Sequence, residues 1–406
     1  MQSKGTSIFS QMLQLFNRND FSSAVRQFHG DKGAKGFRCW DQFVAMLFCH
    51  LAKAQSLREI SGGLKSCLGK LSHLGIRQAP KRSTLAYANE HRDWRIYQTV
   101  FFQLLERVQS QWNGKRKFKF KNKLFSIDAT TIDLCLSMFD WAKFRRAKGA
   151  IKLHLILDHD GYLPNFAHIT DGKQHEVKVL KNELITDFSF PKDSIIVFDR
   201  AYNDYKLFSH WTTTSVFFVT RMKDNTDYRV VKRRPVPDRG NVLKDQEIRL
   251  KGFYSKEKCP HLLRRIEVVD PSTGEILVFL TNHMKFAAST VAAIYKDRWE
   301  IEIFFKTIKQ HLKIKTFVGT SSNAVKVQIW TALIAILLLK YLKMTSQYLG
   351  WSLSNLIALL RFNLFTYRDL YEWLNNPYEG PPDIIQEIQL VLPGIGQQTV
   401  NPGFRV

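Results

Sequence analysis

The sequence predicts an α/β protein in which a helical amino-terminal region precedes a mixed sheet with flanking helices. Three observations support this fold class. Apolar residues recur at helical spacing up to about residue 111, two short apolar strands each end in an aspartate, and residues 224–282 change to β-strand patterns. At 406 residues the chain is long enough for two or three structural units around a large buried core.

The first region, residues 1–111, is expected to be an all-helical DNA-binding domain. Phe43, Leu47 and Leu51 share one face of a predicted helix. The segment Pro80–Thr84 is typical of a basic turn before a helix capped by Ser83, which would bring Lys81 and Arg82 to a phosphate at the helix start. An ordinary capped surface helix would give the same pattern.

The charge of the chain indicates a polyanionic partner. Lys and Arg number 60 against 36 Asp and Glu, a net charge of +24, and nucleic acid is the first candidate. A membrane is not expected, because the longest apolar stretch, Ile329–Leu339, is shorter than the roughly 20 residues of a membrane span and predicts a buried core helix. The polar amino terminus lacks a signal-peptide pattern, so we expect a cytoplasmic protein.

A basic run joins the helical region to the sheet. Six Lys and Arg residues lie between Lys115 and Lys123, and such a run is too strongly repulsive to pack in a core. We expect Lys115, Lys117 and Lys119 to contact DNA; a solvated linker is the alternative. The run leads directly into the apolar strand that ends at Asp128.

The strand patterns that follow place two carboxylates. Residues 124–128 and 194–199 are short apolar runs ending in Asp128 and Asp199, and residues 151–157 and 162–170 form a predicted hairpin. We expect a helix over about 174–185 and a strand over 215–221. If the strands of Asp128 and Asp199 are neighbours, their oxygens converge in a site suited to Mg²⁺; about half of such pairs would instead be caps or turn residues.

A β-rich insertion over residues 224–286, with a turn at Asp270–Gly274, precedes a long helix predicted from Ala287 to Leu312. One polar stripe of this helix carries four functional candidates, and Asp297 is the polar residue that falls in its apolar face. The stripe residues are Tyr295, Arg298, Glu302 and Lys309. Periodicity alone fits a salt-bridged surface helix equally well or better.

These four residues also form a recognisable motif. Tyr295, Arg298, Glu302 and Lys309 are separated by two, three and six residues, a pattern that resembles the Y-R-E-K signature of insertion-sequence DDE transposases. The surrounding segments, from Ile127-Asp128-Ala129-Thr130 to Asp199-Arg200-Ala201-Tyr202, resemble that family as well. The resemblance covers about residues 125–320.

The resemblance implies a ribonuclease-H-like core interrupted by the β-rich insertion. It implies that Asp128, Asp199 and Glu302 are the catalytic triad and hold two Mg²⁺ ions, for which Mn²⁺ may substitute. It further implies that Arg298, Tyr295, Lys309 and Arg200 contact DNA, that the enzyme cleaves element ends and transfers strands, and that a homodimer forms on double-stranded DNA. The expected segments are 1–111, 112–223, 224–286, 287–345 and a helical 346–406.

Other functions remain open at this stage. A ribonuclease-H-like nuclease without strand transfer would share the metal site, and a non-catalytic DNA-binding protein derived from a transposase would share the fold. A zinc site is a weaker idea based on Cys259 and His261, since the five cysteines are scattered. We expect His154 to be a hydrogen-bonded core histidine and Trp299 to pack rather than stack on a base.

Overall fold

The helices and the strands follow the predicted order. The computed structural model describes residues 5–67, 69–135, 137–139, 141–145, 148–173, 179–180, 188–237, 240–312, 314 and 316–379. The helix expected over 174–185 and the end of the chain from residue 380 lie outside the described residues, apart from 179–180. The α-helices are α1 (Ile8–Gln14), α2 (Arg18–Gln27), α3 (Cys39–Leu51), α4 (Leu57–Ser66), α5 (Arg82–His91), α6 (Arg95–Ser110), α7 (Tyr205–Thr213), α8 (Phe253–Lys258), α9 (Ala288–Asp297), α10 (Trp299–His311), α11 (Ser322–Thr345), α12 (Leu353–Asn363) and α13 (Leu370–Asn375).

The strands form one continuous mixed sheet. They are β1 (Leu124–Leu134), β2 (Lys143–Arg145), β3 (Lys148–Asp158), β4 (Leu163–Asp171), β5 (Ile195–Phe198), β6 (Phe217–Arg221), β7 (Tyr228–Arg233), β8 (Val242–Leu250), β9 (Leu263–Val269) and β10 (Ile276–Thr281). The order across the sheet is β2-β3-β1-β5-β6-β10-β9-β8-β7, and β4 also pairs with β3. Strands β1, β5 and β6 are parallel, whereas β3 and β4 are antiparallel to their neighbours. The expected fold class, a mixed sheet with flanking helices after a helical amino-terminal region, is confirmed.

The β-rich insertion extends this sheet. Strand β10 pairs antiparallel with β6, with Leu280 opposite Thr220, and β9, β8 and β7 follow in turn. The predicted turn at Asp270–Gly274 joins β9 to β10, where Gly274 takes a positive φ of 74°. That backbone conformation is open to glycine at little steric cost. The insertion therefore widens the central sheet and forms no separate layer.

The two faces of the sheet are buried differently. All four residues of β5 are buried, as expected for a central parallel strand covered on both faces. Ile196 and Phe198 pack in a core with Trp211 of α7, whereas Ile195 and Val197 pack with Val291 and Ile294 of α9. Alternate side chains thus hold a helix on each face.

Helix α11 is the centre of the largest core. The core that contains its apolar side chains also holds side chains of helices α1 to α6, of α10 and of one face of β3 and β4. The amino-terminal helices therefore share one core with the later part of the chain. By length and composition α11 is apolar enough to cross a membrane, but 89% of its most apolar window is buried inside the protein. The prediction of a buried core helix is confirmed.

Several polar side chains of this core are hydrogen-bonded, whereas the hydroxyl of Tyr97 and Nε1 of Trp330 are buried without a partner among the described residues. Thr331 of α11 lies 3.0 Å from Nε2 of His50, and burial lowers the pKa of His50 to about 3, so that histidine is neutral. Gln328 accepts a hydrogen bond from the backbone nitrogen of Val318 and donates one to the carbonyl of Thr316. Such pairing is favoured because an unpaired buried polar group is expensive.

Replacing Leu337 by alanine is expected to lower the free energy of unfolding by about 2–5 kcal/mol, because this side chain of α11 is fully buried. The matched control is Leu349→Ala, which truncates a side chain that is 98% exposed, and should change that free energy by less than about 0.5 kcal/mol. Urea denaturation followed by tryptophan fluorescence measures both. Equal unfolding midpoints would contradict the central position of α11.

Candidate active site

Two aspartates lie side by side on neighbouring strands. Strand β1 does not end at Asp128 as predicted but continues to Leu134, so Asp128 lies within β1 and only Asp199 follows the end of its strand. Strand β5 lies parallel to β1, and Ile127 pairs with Phe198. Asp128 and Asp199 are the next residues on the two strands. Because paired strands are about 4.8 Å apart, the two carboxylates begin at neighbouring backbone positions, beside the carboxyl end of β5. The expectation that these two strands are neighbours is confirmed.

Local hydrogen bonds orient both carboxylates. Oδ1 of Asp128 accepts from the backbone nitrogen of Ala129 at 2.8 Å. Asp199 begins a short 3₁₀ turn and accepts from the backbone nitrogen of Ala201 at 3.0 Å. The side chain of Asp128 is 19% exposed, and Asp199 is also partly exposed. Both acids are therefore held by the backbone and still open to solvent cations.

The helix expected from Ala287 to Leu312 is interrupted at Arg298, so the prediction of one continuous helix is wrong at this point. Helix α9 ends at Asp297 and α10 begins at Trp299. The backbone nitrogen of Arg298 bonds three residues back, to Tyr295, at 3.2 Å. The sequence holds neither glycine nor proline here. Arg298 itself keeps helical backbone angles, with φ −50° and ψ −31°, so the interruption is a single residue.

Arg298 joins the third carboxylate to the first. Its Nη2 donates to Oε1 of Glu302 at 2.8 Å, and its Nη1 lies 3.9 Å from Oδ2 of Asp128. Burial alone would lower the pKa of Arg298, but Tyr295, Glu302 and Asp128 raise it, so the guanidinium is charged. Its side chain is 12% exposed, and no acceptor among the described residues reaches its buried Nε. One cation thus lies between two of the predicted acids.

The other two motif residues also face this region. The ring of Tyr295 packs on Phe279 at 5.0 Å, and its pKa is raised by burial, with a further increase from the charge of Asp199. Nζ of Lys309 donates to the backbone carbonyl of Thr131 on β1 at 2.7 Å. Tyr295, Arg298, Glu302 and Lys309 therefore all lie on the side of α9 and α10 that faces the strand ends.

Divalent ions fit the chemistry of this donor set, since carboxylate oxygens are their preferred ligands. The carboxylates attract positive charge in the structure as it stands, because the guanidinium of Arg298 contacts both Asp128 and Glu302. Within the described part of the chain, no three acidic, histidine or cysteine side chains already converge on one point.

Basic side chains predicted to bind DNA lie in two other places. A groove of about 1050 Å³ runs along α4 and the start of α5, and its charged lining residues are all basic: Arg58, Lys65, Arg77, Lys81 and Arg82. Helix α5 begins after Lys81 rather than after Ser83, so the predicted serine cap is wrong. Arg200 forms an exposed ion pair with Asp224 at 3.4 Å.

The basic run before β1 is partly neutralised inside the protein. Lys117 forms an ion pair with Asp297, and Arg116 and Lys123 both contact Asp160. The side chain of Lys117 is nevertheless 59% exposed, so the ion pair does not exclude the predicted contact with DNA. Lys115 and Lys119 are exposed. Six like charges fit in one segment because some of them are paired with acids of the protein and others are exposed to solvent.

Four further side chains near the sheet and the helices can be compared with the sequence analysis. His154 is buried and hydrogen-bonded to Thr170 at 2.9 Å, as predicted, and burial lowers its pKa to about 3. Trp299 is 58% exposed, so it is not part of the core. Nε2 of His261 lies 3.0 Å from the hydroxyl of Ser209. Sequence reasoning missed His159, although the misplaced Asp297, its partner, was a visible signal.

Comparison with known proteins gives a consistent result. The family model described as the transposase DDE domain matches residues 119–338, and a domain of unknown function matches residues 4–77. A Sinorhizobium fredii protein named as a transposase is 32% identical over 64% of this chain and 71% of its own length. A Geobacillus stearothermophilus protein named as a transposase of insertion sequence element IS5377 is 29% identical over 65% and 69%.

A solved piggyBac transposase synaptic complex with hairpin DNA also resembles the chain. The match covers 93% of this chain and 83% of that one, at 11% identity and a TM-score of 0.46. A score this low establishes no shared geometry of individual residues.

Arg298→Gln is expected to lower the free energy of unfolding by about 1–3 kcal/mol, because it leaves Asp128 and Glu302 without their shared cation. Arg200→Gln removes an arginine from an ion pair whose side chains are 51% and 95% exposed, and should change it by less than about 1 kcal/mol. Urea denaturation without added metal ions compares the two. An unchanged free energy of unfolding in Arg298→Gln would show that the contacts of Arg298 with Asp128 and Glu302 do not stabilise the fold.

Proposed function

The chain belongs to the transposase DDE-domain family, and we propose that Asp128, Asp199 and Glu302 form its catalytic triad. The protein is therefore an enzyme that cleaves DNA and transfers strands, of the kind encoded by insertion sequences. The observation that carries the proposed site is the register of β1 and β5, which places Asp128 beside Asp199, together with the arginine that links Asp128 to Glu302.

Enzymes of this family generally use divalent metal ions, and we propose two Mg²⁺ ions, replaceable by Mn²⁺. Asp128 and Asp199 would hold them from the sheet edge, and Glu302 would hold them from α10. When bound, such ions activate the attacking oxygen and stabilise the leaving oxygen of an in-line phosphoryl displacement. The carboxylates contribute position, because their strands and helix fix where the oxygens lie.

Arg298 would hold the scissile phosphate. Its buried Nε has no acceptor among the described residues, and a phosphate oxygen would satisfy this donor. Tyr295 would donate its hydroxyl to an adjacent phosphate, because its raised pKa keeps it protonated at neutral pH. Lys309 would place positive charge beside β1. These groups favour the additional negative charge that develops in the transition state.

The amino-terminal segment, residues 1–111, would bind the ends of the element. The groove of about 1050 Å³ presents Lys81 and Arg82 beside three further basic residues and lacks acidic ones. Lys115, Lys119 and Arg200 would contact the phosphate backbone between this groove and the triad. A net charge of +24 supports such binding, because each neutralised phosphate releases counterions.

The protein would act as a homodimer on double-stranded DNA. An insertion element has two ends, and one chain supplies one proposed triad. Two copies holding one end each would cut both ends in a single complex. The segment boundaries at residues 111, 223, 286 and 345 are proposed to separate end binding, the two parts of the catalytic core, the insertion and the carboxyl-terminal helices.

The triad is tested by Asp128→Asn, Asp199→Asn and Glu302→Gln. Each is expected to abolish Mg²⁺-dependent cleavage of an element-end DNA while binding of that DNA survives, because each removes a charged oxygen ligand but keeps the shape of the side chain. Gels that resolve nicked, hairpin and joined products measure cleavage and strand transfer, and mobility shifts measure binding.

Asp133→Asn is the matched control for the triad. Asp133 lies on the same strand as Asp128 but is exposed, and its amide variant should cut and join DNA normally. Retained cleavage in any triad variant would remove that residue from the site. Cleavage without joined products in the unaltered protein would favour a nuclease over a transposase.

DNA binding through the groove is tested by its dependence on salt. Lys81→Ala and Arg82→Ala should each lower the slope of log affinity against log salt concentration by about 1, because each removes one phosphate contact. Lys192→Ala is the matched control, since Lys192 is exposed just before β5, at the end of that strand opposite Asp199. If all three variants keep the salt-dependence slope of the unaltered protein, the DNA does not bind in this groove.

A further inference from the structure

A chain of buried hydrogen bonds starts at the misplaced acid of the helix. Asp297, the last residue of α9, is 3% exposed, and its Oδ2 lies 2.6 Å from Nδ1 of His159. Nε2 of the same histidine lies 2.6 Å from the hydroxyl of Ser126, which is 0% exposed. The side chain of His159 is only 7% exposed. Three elements meet through these groups: α9, the turn after β3 and strand β1.

Two more donors hold the same carboxylate. Lys117 forms an ion pair with Asp297, and the hydroxyl of Tyr162 lies 3.4 Å from Oδ2. Burial tends to raise the pKa of Asp297, but the bonds from His159 and Lys117 lower it overall, so the carboxylate is charged. A buried charge with several donors has a defined orientation, because losing any donor is expensive.

The two ends of this series of hydrogen bonds, Ser126 and Asp297, lie next to residues of the proposed triad. Ser126 and Asp128 are two residues apart on β1, so their side chains share one face of the strand. Asp297 directly precedes Arg298, which contacts Asp128 and Glu302. The helix break is thus attached to β1 at two points, one through His159 and one through Arg298.

A Ser-His-Asp arrangement also suggests a hydrolytic nucleophile, but burial argues against that function. A nucleophile must reach a substrate carbonyl at the protein surface. The hydroxyl of Ser126 is fully enclosed and already bonded to His159. The geometry therefore fits a structural connection between the strand and the helix break.

We propose that Asp297, His159 and Ser126 are positioning residues that fix the distance between Asp128 and Glu302 and thereby set the affinity of the site for divalent ions. This inference rests on the proposed triad. Outer hydrogen-bond partners act on metal sites in this way, and their loss typically weakens metal affinity about ten- to a hundredfold.

The test measures Mn²⁺ binding to the full-length protein without DNA, using the electron paramagnetic resonance signal of free Mn²⁺. Asp297→Asn and His159→Ala should weaken Mn²⁺ binding about tenfold or more and raise the Mg²⁺ concentration needed for half-maximal cleavage. Affinity for element-end DNA should stay the same. His159→Asn keeps a side-chain donor toward Asp297 and should recover part of the loss, and Ser126→Ala should give a smaller effect.

Asp245→Asn is the matched control. Asp245 is 5% exposed and bonded to Arg264 on β9, so its amide variant breaks a comparably buried ion pair away from the helix break. It should lower thermal stability and leave Mn²⁺ affinity unchanged. If Asp297→Asn lowers stability in the same way without weakening Mn²⁺ binding, the network is only structural and the inference is wrong.

The variant Asp128→Asn separates this inference from the proposed function. If Asp128→Asn leaves Mn²⁺ binding intact, the triad itself is wrong. If Asp128→Asn abolishes Mn²⁺ binding while the Asp297, His159 and Ser126 variants all bind normally, the triad stands and the positioning network is rejected. A variant that does not fold is replaced by Ser126→Ala, which removes a single oxygen atom.

Discussion

The arrangement of the site depends on one buried arginine between two carboxylates. Without Arg298, Asp128 and Glu302 would lose the cation they share, and without those acids the guanidinium, whose side chain is 12% exposed, would lose both of its carboxylate partners. The contact therefore fixes α10 against β1. It also keeps a local acidic cluster intact in a chain whose net charge is +24, so that one small region attracts cations while the rest attracts DNA.

The break at Arg298 follows from how the helices pack. Val291 and Ile294 of α9 belong to the core on one face of the sheet, whereas Ile301 and Phe304 of α10 belong to the core around α11. A straight helix would present one continuous apolar stripe to one of these cores. The two helices instead contribute to different cores, and the contacts of Asp297 and Arg298 lie where one helix ends and the next begins.

Much of this could be predicted from the sequence, because strands and turns leave local signals. The apolar run before Asp199, the hairpin turn before Tyr162 and the turn at Gly274 all lie where their patterns predict. The helix interruption could not be predicted, since the residues at it contact His159 and Asp128, which are far away in the chain. The exposure of Trp299 and the pairing of Lys117 with Asp297 were missed for the same reason: periodicity describes one helix and not what covers it.

The proposed roles of Arg298 and Glu302 have a thermodynamic consequence. The guanidinium cannot lose its proton, so Glu302 leaves it only when both groups gain other partners. A phosphate that accepts from Arg298 and a divalent ion that binds Glu302 each replace one side of the same ion pair. Each binding event thus removes part of the cost of the other, and linkage makes this coupling reciprocal.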